Sequence, residues 1–116
     1  MRYLAGVILI AGLIGGPPSA WAQGAYKQIA QALFVAQNVA PIVCPEYQVN
    51  TKELIRQMYI AQITEKSFEP GGEYANDAQE AFDFYTEGGR RNKQLTCSSL
   101  WAWLGDTGQQ LIERKR

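Results

Sequence analysis

Two cysteines, Cys44 and Cys97, are the only ones in a chain of 116 residues, and no other feature limits the possible folds as much. Their spacing is far too wide for a Cys-x-x-Cys redox pair, so a structural bridge is the expected use. Joining them closes a loop of about 50 residues, and the restraint on the unfolded chain then stabilises the fold by roughly 4 kcal/mol. That is a large share of the ~5–15 kcal/mol that holds a domain together. Such a bridge persists only in an oxidising compartment.

The N-terminus supplies a route to one. Met1-Arg2-Tyr3 carries one positive charge, Leu4 to Ile14 is apolar apart from glycine, and Gly15-Gly16-Pro17-Pro18 ends that run. Ala20-Trp21-Ala22 then offers small residues where a signal peptidase reads, which places cleavage between Ala22 and Gln23. Residues 1–22 are therefore expected to be a cleavable signal peptide and 23–116 a single domain. The apolar stretch is roughly half of the ~20 residues that span a bilayer, so the mature chain is expected to have no transmembrane span. No cysteine lies at the cleavage point, and no Asn-x-Ser/Thr sequon occurs, which favours a bacterial periplasm. The remaining ~90 residues would bury only about 60–65% of their unfolded surface, and a cross-link offsets that small core.

The apolar pattern is that of an all-α fold, a small bundle of about four short helices stapled by one disulfide, with no convincing strand. The first helix is expected from Ala25 to Ala40, with Tyr26, Ile29, Ala30, Leu33 and Ala40 inward and Pro41 as its stop. Asn50-Thr51-Lys52-Glu53 has the form of a capping box opening a second helix to about Lys66, with Leu54, Ile55, Met58, Ala61 and Ile63 as its apolar stripe. After Pro70-Gly71-Gly72, a third helix is expected over 73–87. Tyr74, Ala78, Ala81, Phe82 and Tyr85 would face the core, Gly88-Gly89 would cap it, and Arg90 to Lys93 would be an exposed linker. A fourth helix begins near Thr96 and carries Leu100, Trp101, Trp103 and Leu104. It is expected to break at Gly105 before a last short helix reaching Lys115, the alternative being one unbroken helix with Ser98, Ala102 and Gly105 as a small-residue stripe.

The residue inventory removes most chemistry. The chain has no histidine, so histidine triads, ordinary zinc sites and imidazole acid/base catalysis are unavailable. Bridged cysteines supply no thiolate, and neither glycine pair has the Lys-Ser/Thr of a phosphate loop. No catalytic residue, metal or organic cofactor is expected, and the chain is not read as an enzyme. The 11 basic and 11 acidic residues balance, and loss of Arg2 with the leader leaves about −1, which argues against a nucleic-acid partner.

The charges are nonetheless segregated. Glu65, Glu69, Glu73, Asp77, Glu80, Asp83 and Glu87 make one stretch acidic, while Arg90, Arg91 and Lys93, then Arg114, Lys115 and Arg116, make the C-terminal third basic. The acidic run reads as a solvated helix face, or else as a surface for cations or a basic partner. Trp101 and Trp103, two apart, cannot both point inward on one helix. Arg90, Arg91, Lys93, Trp101 and Trp103 together form the candidate binding surface, suited to a protein or an envelope component.

Cys44-Pro45-Glu46-Tyr47, a second cysteine about 50 residues on and an all-helical mature chain are similar to the small acid-activated periplasmic chaperones of the HdeA/HdeB type. The similarity covers the cysteine framework and general size, and the Trp-rich segment after Cys97 departs from it. It implies a stress-protective chaperone, and protonation of the acidic run near pH 3–4 would leave such a chain strongly cationic. The residues themselves point first to a non-catalytic exported protein that binds a protein or an envelope component.

Overall fold

A computed structural model describes residues 19–116, with side chains from Tyr26 onward. Most of the expected leader, residues 1–18, lies outside the described residues. Five α-helices follow in order: α1 Ser19–Asn38, α2 Ala40–Val43, α3 Thr51–Ala61, α4 Ala75–Arg91 and α5 Lys93–Leu104, with a 3-10 turn at Glu65–Phe68. Two short strands, β1 Tyr47–Val49 and β2 Ile112–Arg114, pair antiparallel in the register Tyr47↔Arg114, Gln48↔Glu113 and Val49↔Ile112. The fold is all-helical in its mass, as expected, and the strand pair is an addition to it.

Helix α1 is the centre of the molecule, packed by α4, α3 and α2. Leu33, Ala30 and Ala40 are buried as the periodicity requires, but so are Ala32, Val35, Ala36 and Val39, whereas Tyr26 and Ile29 are exposed. A single apolar stripe assumes one neighbour, and three neighbours bury more of the circumference. Pro41 does not end the helical path. It sits in the first turn of α2, where its missing N–H is no loss, and the break falls just before it at Val39.

Asn50 begins α3 as expected, its Oδ1 accepting from Glu53 N at 3.4 Å. Glu53 does not reach back, because Asn50 N donates instead to Leu111 O at 2.8 Å. Helix α3 stops at Ala61 rather than Lys66, with Gln62 in the left-handed region at φ 58°. That turn swings Ile63 into the core. Ile55, assigned to the buried stripe, is exposed.

Helix α4 runs through Gly88 and Gly89, contrary to the expected cap. A Cβ on Gly88 would lie 2.9 Å from Thr96 Oγ1 and one on Gly89 2.5 Å from Val43 Cγ1, so these glycines let α5 and α2 approach rather than end a helix. The corner is Asn92 alone. Its N–H closes α4 onto Gly88 O and its Oδ1 accepts from Leu95 N at 3.0 Å to start α5. The expected linker is thus the end of one helix and the start of the next, and Thr96 lies inside α5. Helix α5 does break at Gly105, but no helix follows. Leu111 N returns to Leu104 O at 2.8 Å, and the chain enters β2.

Cys44 and Cys97 are bonded, with Cα atoms 5.9 Å apart, and both are buried. The bond ties the corner after α2 to the first half of α5. Tyr47 packs beside it, buried, with its hydroxyl donating to Cys97 O at 3.4 Å.

Candidate functional site

The residues of the candidate surface lie along α4 and α5, and each has an intramolecular partner or neighbour. Arg90 and Arg91, in the last turn of α4, both engage Glu87: Arg90 Nη2 at 2.7 Å and Arg91 Nε at 2.8 Å. The hydrogen bonds from Arg91 and then Arg90 hold the Glu87 carboxyl below its ordinary range. Lys93 opens α5 and lines a shallow cleft beside the disulfide with Glu46, Tyr47, Gln94 and Ser98.

The two tryptophans go to opposite neighbours, as their two-residue offset demands. Trp101 stacks on Tyr47 with ring centres 5.1 Å apart, and Arg114 of β2 lies 4.5 Å from the centre of its indole. Trp103 stacks on Tyr85 of α4 at 5.7 Å. Both indoles are half-buried. The cation over Trp101 therefore comes from the C-terminal strand and not from the Arg90–Arg91 pair.

The acidic run is divided among several roles. Asp77 pairs with Lys27 of α1 at 3.4 Å, Glu65 accepts from Gln37 at 3.2 Å, and Asp83 accepts from Gln79 at 2.9 Å. Among the described residues no group of three His, Cys, Asp or Glu side chains could hold a metal ion. No described helix is long and apolar enough to cross a membrane.

Two features were not anticipated. The first is an outward apolar row on α3, where Ile55, Tyr59 and Ile60 are 61%, 83% and 65% exposed. Its polar frame is ordered by Glu53, which accepts from Arg56 Nε at 3.1 Å and from Gln57 Nε2 at 2.9 Å. Those bonds, Arg56's first, lower the Glu53 carboxyl from 4.5 to about 2. Between this helix and α1 lies a cleft of about 490 Å³ lined by Tyr26, Ile29, Arg56, Gln57, Ile60 and Gln109.

The second is a cleft of about 270 Å³ where α1, α4 and α5 meet, lined by Lys27, Gln31, Glu80, Phe84, Tyr85 and Trp103. Phe84 is 69% exposed and meets Tyr85 edge-on at 5.0 Å. Burial raises the Tyr85 hydroxyl above its ordinary range. The sequence did not single this site out, because adjacent residues lie about 100° apart on a helix and can share a buried face.

In comparison with known proteins, the chain matches no family model, no curated protein and no solved structure.

Proposed function

We propose that this chain is exported to the periplasm, loses residues 1–22, and acts by binding another protein or an envelope component rather than by catalysis. The observation that carries the reading is the exposed row Ile55–Tyr59–Ile60 on a helix whose start is held by Asn50 and whose polar flank is held by Glu53. Bulky side chains kept in water by an ordered helix are available to a partner at little further ordering cost. Glu53 and Glu87 are shifted downward, away from the range of a general acid or base at neutral pH. The buried disulfide suits an oxidising compartment.

The test is expression of the full chain in an exporting bacterial host with a photoreactive residue replacing Tyr59. The expected result is a periplasmic protein whose mass begins at Gln23, and a discrete cross-linked adduct that is lost on Ile55→Glu. A cytoplasmic protein with its leader attached overturns export. An adduct that survives Ile55→Glu, or none at all, overturns binding through this face.

A second reading, the acid-activated chaperone, draws on the Lys27–Asp77 pair that joins α1 to α4. The disulfide keeps the corner after α2 and α5 together when α1 and α4 part. Loss of near-ultraviolet circular dichroism near pH 3, together with suppressed aggregation of an acid-unfolded client, supports this reading. An unchanged fold with no protection of the client overturns it.

A further inference from the structure

The cleft among α1, α4 and α5 combines a carboxylate with three aromatic rings, and that combination has a defined ligand chemistry. Asp77, Glu80 and Phe84 recur at helical spacing and share one side of α4. Asp77 is occupied: Lys27 Nζ stands 3.4 Å from its carboxylate, and Gln31 Nε2 donates to its main-chain oxygen at 3.2 Å. Glu80 is exposed and takes part in none of the ion pairs among the described residues. Beside it Phe84 stands in solvent, and Tyr85 and Trp103 lie stacked in the wall.

Aromatic faces carry negative potential and attract cations, and a planar delocalised cation both stacks and pairs. The fold already makes one such contact on the other flank of α5, where the Arg114 guanidinium lies over Trp101 and 5.7 Å from the Tyr47 ring. Glu80 and Asp83 on α4, and Glu73 in the turn before it, are exposed and complement a basic surface.

We propose that this cleft receives the guanidinium of an arginine presented by a partner protein, with Glu80 pairing its charge and Phe84, Tyr85 and Trp103 packing against its plane. The inference rests on the binding-protein reading and adds the partner's chemistry: a basic surface with a protruding arginine. Lys27, at the rim, is the competing internal cation.

The test uses the purified, oxidised protein and three blocked tripeptides, Gly-Arg-Gly, Gly-Lys-Gly and Gly-citrulline-Gly, followed by nitrogen-15 NMR at the Trp103 indole. The expected result is a saturable shift with the arginine peptide at a dissociation constant on the order of millimolar, weaker binding with lysine, and none with neutral citrulline. Glu80→Gln and Phe84→Ala, both surface changes, are expected to weaken binding roughly three- to tenfold. Lys27→Gln should tighten it, and Tyr59→Ala on α3 should leave it unchanged. The proposal is overturned by equal binding of citrulline, by constants within about twofold for Glu80→Gln and Phe84→Ala, or by a silent Trp103. A partner captured in cells through α3 with no peptide binding overturns this inference alone. Peptide binding with no adduct captured through α3 overturns binding through the Ile55–Tyr59–Ile60 face and leaves the guanidinium site in place.

Discussion

Gly89 shows how a neighbour can reverse an ordinary residue preference. In a helix interior, alanine is favoured over glycine by about 1 kcal/mol, yet a Cβ here would meet Val43 Cγ1 at 2.5 Å. Val43 is β-branched and packed against the core, so it yields poorly. Gly89→Ala is therefore expected to destabilise the protein by about 1–3 kcal/mol, read from urea unfolding, and Val43→Ala in the same chain is expected to recover most of the loss. A stabilising Gly89→Ala would show that α2 and α4 are not so close. Glu53 carries a second prediction at this scale. Its carboxyl is lowered from 4.5 to about 2 by Arg56 and then Gln57. A lowered folded-state value means that its contribution is complete above the unfolded value and is lost as pH falls towards the folded one. Glu53→Gln should thus be less stable than the natural protein at pH 7, with the gap narrowing between about pH 4.5 and pH 2. A pH-independent gap in urea midpoints would mean that the carboxylate's charge is not what matters.

Elements in this molecule are held as much by the C-terminal segment as by their own caps. Asn50 Nδ2 donates to Gln110 O at 3.1 Å and Gln57 Nε2 to Gln109 O at 2.8 Å, so the start of α3 is fastened to the segment that leads into β2. Leu111 and Ile112 behind these bonds are 0% and 2% exposed. The strand pair is thus a clasp closing the core, and Ile112→Ala is expected to cost about 2–4 kcal/mol, measured as a lowered urea midpoint. Amide exchange should quicken at Val49 and Asn50 as well as at the mutated strand. Exchange confined to residues 111–116 would show that the clasp is not coupled to α3. This element was illegible in the sequence because three-residue strands have no period to detect, and their pairing joins segments more than sixty residues apart. The start of α3 at Asn50 and the break at Gly105 were legible, since a cap and a helix-weakening glycine act within a turn.

The Cys44–Cys97 bond acts at the scale of the whole molecule, fastening the corner after α2 to α5 across 53 residues of sequence. Reduction, or the pair Cys44→Ala and Cys97→Ala, is expected to lower stability by about 4 kcal/mol, measured by guanidinium unfolding with and without reductant. Indistinguishable midpoints would show that the apolar core suffices alone. The candidate site was read only in part. Arg90, Arg91, Lys93, Trp101 and Trp103 were named from charge and helical offset, but Glu80 was set among solvated acids and Phe84 was given no role, because the cleft they line exists only where three helices meet. Local features, each set by residues within a turn or two, were readable from the chain alone: helical class, the cap at Asn50, the break at Gly105 and the need for a cross-link in a small core. Contacts between segments distant in sequence decided the rest, namely α1 surrounded by three neighbours, glycines kept inside α4, a clasp in place of a last helix, and an aromatic cleft beside Glu80. The physical reason is that burial and close approach belong to pairs of surfaces, and one strand of sequence shows only one surface of each pair.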